Sequence, residues 1–246
     1  MAKTRSDDRR YPSRYSPDVD EEGFAWVTGR QYIVELICEN KALKEKKWFL
    51  ETINLHDFGY DERNSIDDIP FGGGPGMIIR PDVVEKAVNF IDKISNKPSH
   101  LIYMSPTGKT LKQTDLIEFS KIDQIVILCG RFEGVDARAI EEIGFQEVSI
   151  GDYITAGGEV AAQVLVEGCI RLIPGVLGHP ESLLEESFSN NLLEHPQFTR
   201  PQVWKDAKKN NHEVPEVLIS GHHEKIKEWR YKQSVTKTKL IRPDLY

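Results

Sequence analysis

Apolar positions in this chain fall into short unbroken runs and helical spacings that alternate along most of its length. Ile33 to Cys38 reads as a strand, Asn40 to Lys47 as a short charged helix or turn, and Phe49 to Leu55 as a second strand. Pro81 then opens a helix through Ile94, with apolar residues at Val84, Ala87, Val88, Ile91 and Ile94. Proline suits the first helical position because the missing N–H would be unpaired there anyway. The runs "HLIYMS" and "QIVILC" predict two buried strands, with a helix over Leu111 to Ser120 between them. Asp136 to Ile143 reads as a helix, "EVSI" as another strand, and Gly158 to Ile173 as a long helix. Strand and helix in alternation predict an α/β fold with a mainly parallel sheet and crossover helices.

The pattern breaks twice. Residues 1–22 are rich in Arg, Asp, Ser and Pro and nearly free of aliphatics, the composition of a disordered or extraneous tail. From Gly178 to Asn191 the periodic apolar residues give way to Ser, Glu and Asn. This divides the chain into an α/β domain over 23–177, a flexible linker over 178–195 and a small helical domain over 196–246. No internal repeat is present.

Composition narrows the function. The longest apolar runs, such as Ile125 to Cys129, are far too short to cross a bilayer, and no secretory signal opens the chain. Cys38, Cys129 and Cys169 are odd in number and widely spaced, which predicts reduced thiols in a cytoplasmic protein. The net charge of −7 argues against a polyanionic partner, but its distribution reverses that reading. From Thr199 to Tyr246 there are 11 Lys and Arg against 6 Asp and Glu. Such a segment is either a solvated helix face or an electrostatic footprint for nucleic acid.

Candidate chemistry lies where strands run into glycine: "YMSPTGK" at 103–109, "CGRFEGVD" at 129–136 and "SIGDYITAGGE" at 149–159. Ligands of open parallel sheets sit outside the carboxyl ends of strands, where such loops converge. Neither a dinucleotide fingerprint nor a P-loop is present. A fourth loop, "IPFGGGPGM" at 69–77, crowds glycines between apolar residues. It is either a linker or a place where backbone must come close to something else. The adjacent His222 and His223 lack helical metal-site spacing and read as a helix start. Trp229 reads as a core aromatic of the helical domain, ahead of the alternative that it stacks on a base.

These four stretches, followed in order by "RLIPGVLG", "ESF", "FTRP", "PEVLISGHH" and "WRYKQS", resemble the bacterial tRNA (guanine-N1-)-methyltransferase family from about Ala42 to Leu245. The resemblance implies a SPOUT fold, in which the C-terminal part of the parallel α/β domain is threaded into a trefoil knot and a small α-helical domain follows. It implies a homodimer with active sites shared between subunits, S-adenosylmethionine as cofactor, a possible Mg²⁺ requirement without identified protein ligands, and tRNA as substrate. The implied reaction is methylation of guanine N1 in the nucleotide immediately 3′ of the anticodon.

Carried over position by position, the cofactor loops are Tyr103, Met104, Ser105 and Pro106; Gly130, Phe132 and Glu133; and Ile150, Gly151, Tyr153, Thr155, Gly157 and Gly158. The resemblance makes Glu186 the base that removes the guanine N1 proton and Arg171 the donor to the neighbouring oxygen. Without it, Glu186 is one of several linker acids and Arg171 a snorkelling surface residue. Gly73, Gly74 and Gly76 would admit the extruded target base. Arg200, Lys225 and Arg230 would contact the tRNA backbone, together with Lys227 and Lys232.

The match departs from the family in the N-terminal 41 residues, where the usual first apolar strand is not recognisable, and at Phe132, Ala161 and Glu186, where Tyr, Pro and Asp are usual. An idle RNA-binding module on the same fold, and the same chemistry on another RNA, are the competing functions.

Overall fold

The computed structural model describes residues 47–95, 97–131, 133–176 and 186–246, together with the backbone of 24–28. The expectations for 1–22, 33–38 and 40–46, for Cys38 and for Phe132 lie outside these residues. Two compact units divide the chain, Met1–Leu177 and Gly178–Tyr246.

The first unit is built on a five-stranded sheet of β1 (Phe24–Thr28), β2 (Phe49–Ile53), β5 (His100–Thr110), β6 (Gln124–Cys129) and β7 (Gln146–Ser149). Their order is β2-β1-β6-β5-β7, and every pairing is parallel. The predicted α/β class is therefore observed, and the strand that the sequence reading did not find is supplied by residues 24–28 in the sheet interior.

β6 shows why the fold forms. All six of its residues are buried, as a parallel strand covered on both faces requires. Val126 and Leu128 face α1 (Pro81–Ile94) and α3 (Ala137–Ile143), while Ile125, Ile127 and Cys129 face α2 (Gln113–Phe119) and α4 (Glu159–Ile170). The one polar residue, Gln124, is satisfied on both sides of its amide by Ser95 and Ser99. Burial pushes the Cys129 thiol far up and the Cys169 thiol up to about 12, so neither is a ready nucleophile.

Boundaries differ from expectation for local reasons. α4 stops at Ile170 instead of Ile173: Leu172 and Ile173 tighten to three-residue hydrogen bonds with Cys169 and Ile170, and Pro174 ends the turn. β2 stops at Ile53 because the Asn54 side chain accepts from the His56 N–H and starts a short 3₁₀ turn over Leu55–Phe58. β5 runs past Ser105 to Thr110 by an irregularity, since Met104 and Lys109 both pair with Val148. Residues 105–108 thus bulge from the strand's carboxyl end.

The second unit holds α5 (Glu216–Ile219) and α6 (His223–Ile241), with His222 capping α6, so the histidine pair is indeed a helix start. Thr238 on α6 is fully buried and accepts a hydrogen bond from the Leu193 N–H at 2.8 Å. Trp229 is half-buried, with its ring 6.2 Å from that of Phe198. The unit is not purely helical as read from the sequence. It also contains an antiparallel hairpin of β8 (Val203–Lys205) and β9 (Asn211–Glu213).

Candidate active site

The carboxyl ends of β5, β6 and β7 deliver three loops to one cavity of about 550 Å³. Its lining includes Tyr103, Met104, Ser105 and Pro106 from the first loop and Gly130 and Glu133 from the second. Ile150, Gly151, Tyr153, Thr155, Gly157 and Gly158 come from the third. Every sequence-predicted cofactor residue that is described is therefore gathered here. The volume lies within the roughly 300–1,000 Å³ of ligand pockets.

Backbone shapes this cavity. Tyr103 is buried beneath the second loop; burial raises its hydroxyl pKa, while a hydrogen bond from the Val135 N–H acts the other way. A Cβ on either Gly130 or Gly134 would come within 2.9 Å of that hydroxyl oxygen. Gly158 caps the approach of α4: its N–H donates to Gly130 O at 2.9 Å, and a Cβ would meet Cys129 Cα at 3.0 Å. In the third loop the Tyr153 N–H donates to Gly151 O at 2.9 Å, so that amide is internally satisfied.

The glycine loop 72–76 is a hairpin loop and not a linker. The antiparallel pair β3 (Asp67–Asp68) and β4 (Ile78–Ile79) closes it, with Arg80 ion-paired to Asp68 at 3.5 Å and seated over the Tyr60 ring. Its far end is fixed to the second of the loops that line the cavity. Glu133 N–H donates to Met77 O, Ile79 N–H to Gly134 O, and Asp136 N–H to Ile79 O. Gly76 has φ +90°, and a Cβ there would lie 2.5 Å from Glu133 Cγ. Gly73 and Gly74 also have positive φ but meet nothing within 4 Å, and Phe71 is fully exposed beside them. A loop with an open crown and a crowded base is thus set against the cavity wall.

Several lining residues have no counterpart in the sequence reading: Arg131, Glu141, Glu147 and Thr107. The Thr107 hydroxyl donates to Glu147 Oε2 at 2.9 Å and lies 2.6 Å from Ser105 Oγ, pinning the bulge of β5 to β7. No sequence signal links positions forty residues apart. Three carboxylates, Glu133, Glu141 and Glu147, against the Arg131 guanidinium give the lining a negative balance suited to a cationic ligand.

The proposed catalytic pair is not in this lining. Arg171 is half-buried at the C-terminal end of α4, and Glu186 is half-buried in the second unit. Of the proposed tRNA contacts, Arg200 and Arg230 come together in a separate cavity of about 410 Å³ with His195, Phe198 and Ile226. Lys225 stands apart from it, exposed on α6. Among the described residues no three His, Cys, Asp or Glu side chains gather as a metal site, and no helix is long and apolar enough to cross a membrane.

The family model of tRNA (Guanine-1)-methyltransferase TrmD matches residues 31–246. Among curated relatives, a tRNA (guanine-N(1)-)-methyltransferase of Roseobacter denitrificans is 45% identical over 214 residues, spanning 87% of this chain and 87% of its own. Enzymes of the same name from Ruegeria sp. strain TM1040 and Wolbachia pipientis wMel are each 48% identical, over 206 and 207 residues. These alignments span 84% and 83% of this chain, and 82% and 85% of the respective relatives.

Proposed function

The chain belongs to the tRNA (guanine-1)-methyltransferase family, and from that premise we propose that its cavity holds S-adenosylmethionine and serves the N1 methylation of the guanosine immediately 3′ of the tRNA anticodon. The observation that carries this reading is the convergence of three strand-end loops with the glycine hairpin loop, joined at Gly76 and Glu133.

The cavity suits the cofactor by shape and charge. Backbone of 103–106, 130–131, 133–134, 150–151 and 153–158 would grip the adenosine, and the negative lining favours a sulfonium cation over its neutral product. When bound, S-adenosylmethionine supplies an electrophilic methyl group. This chain's residues do the rest. Gly73 and Gly74, open and without side chains, leave room for a guanine extruded from its stack. Glu186 accepts the N1 proton, and Arg171 donates to the neighbouring carbonyl oxygen, where negative charge develops. The extra methylene of Glu186 relative to aspartate changes its reach and keeps the carboxylate chemistry.

The SPOUT fold comes with the family. Its trefoil knot, a homodimer in which Glu186 of one subunit serves the cavity of the other, and a tRNA-binding role for the second unit through Arg200, Lys225 and Arg230 complete the proposal. A place of action in the cytoplasm accords with it. The described residues offer Mg²⁺ no cage, and no step is assigned to it.

Calorimetric titration with S-adenosylmethionine tests the cavity. Binding should saturate at no more than one cofactor per chain, and S-adenosylhomocysteine, lacking the positive sulfur, should bind less well to the negative lining. Absence of binding to either would remove the cavity from the account.

A further inference from the structure

The β8–β9 hairpin serves no core of its own. Every residue from Gln202 to Glu213 except Asp206 is exposed, including Trp204 at 57%. A lone two-stranded ribbon is marginal in water, so its order must come from local bonds, and these centre on Asp206. Its Oδ1 accepts from the N–H groups of Lys208 and Asn210, both at 2.9 Å. Its Oδ2 accepts from Asn210 Nδ2 at 3.1 Å and meets His212 Nε2 at 3.2 Å. The His212 hydrogen bond, followed by the Asn210 amide, holds the carboxyl below its ordinary range. Lys209 takes a left-handed φ of 68° to close the turn.

The ordered ribbon presents two features together. Trp204 stands opposite His212 on one face, ring centroids 5.1 Å apart. Lys205, Lys208 and Lys209 are exposed around the turn, and among the described residues none pairs with a carboxylate. An aromatic plane flanked by lysines that form no ion pair is the chemistry of a stacking platform for unpaired nucleotides. Protein interfaces, by contrast, are depleted in lysine.

We propose that this hairpin is an RNA contact element: Trp204 stacks on an unpaired base of the tRNA, and Lys205, Lys208 and Lys209 meet the phosphates beside it. This rests on tRNA being the substrate. The ribbon acts on affinity alone and takes no part in methyl transfer.

The test uses the full chain and a tRNA transcript, with binding measured across a salt series. Trp204→Ala should weaken binding by about 5- to 150-fold, the worth of one stacked base, and Trp204→Phe should recover most of it. Lys208→Ala with Lys209→Ala should flatten the dependence of log K on log salt by about 1.4 to 1.8. The methylation rate at saturating tRNA and the affinity for S-adenosylmethionine should stay at parent values in all three. If the parent binds and methylates tRNA while the variants bind it within twofold of parent, the hairpin is no RNA contact and a protein partner becomes its better occupant. A Trp204→Ala loss that phenylalanine does not recover, accompanied by a lowered Tm, would reduce the residue to a structural role and overturn the proposal. A parent that binds no tRNA would overturn the hairpin's role and the substrate reading together.

Discussion

Glu186→Gln is expected to lower the single-turnover rate near neutral pH by roughly 10² to 10⁴, the usual worth of a positioned general base. The amide keeps the size and hydrogen-bonding ability of the carboxylate but cannot take the N1 proton. Affinities for S-adenosylmethionine and tRNA should change little, because the lost interaction matters in the transition state. The defect should shrink in alkaline solution, where guanine begins to lose that proton unaided. A rate within a few-fold of parent at neutral pH would show that Glu186 is not the base, and Glu133, already at the cavity wall, would be the next carboxylate to test.

Gly76→Val is expected to lower kcat/KM by at least about 10², the cost of a displacement of roughly 1 Å in catalytic geometry. Two causes act together. The φ of +90° disfavours any L side chain, by about 1–2 kcal/mol. The new Cβ would also collide with Glu133 Cγ and push it from the wall. Gly72→Ala separates these causes, since its φ of +91° carries strain with no neighbour within 4 Å; it should cost much less. A Gly76→Val enzyme within threefold of parent would detach the glycine loop from the site.

Together the two variants examine the shared dimer site. If Glu186 of one subunit serves the cavity of the other, a mixed dimer of Glu186→Gln and Gly76→Val chains keeps one intact site. Random exchange would then restore about a quarter of parent activity. Recovery of none, with mixed dimers confirmed, would place each site within a single chain.

Helix α1 and strand β6 were readable in the sequence because each obeys one local rule: Pro81 and the apolar spacing behind it for the helix, an unbroken apolar run for the strand. The three strand-end loops were legible as ligand-binding candidates, as glycine at a parallel strand's carboxyl end marks the place where ligands bind, while the proposed cofactor came with the family resemblance. What stayed hidden depends on distance or on polar order. Gly76 against Glu133 and Thr107 against Glu147 are contacts between distant segments, and nothing in either segment names the other. The β8–β9 ribbon has no alternating apolar pattern to betray it. Asp206 holds it together by hydrogen bonds, and propensity does not register a bond network of that kind. The family motifs made Glu186 and Arg171 visible as candidates, although no periodicity or spacing singles them out.

Transfer of labelled methyl from S-adenosylmethionine to paired tRNA transcripts, followed by digestion to nucleosides, tests the function most directly. The transcripts should differ only in carrying guanosine or adenosine immediately 3′ of the anticodon. The account predicts label in the guanosine transcript alone, recovered as 1-methylguanosine. Label in neither transcript, or in any other nucleoside, would contradict it.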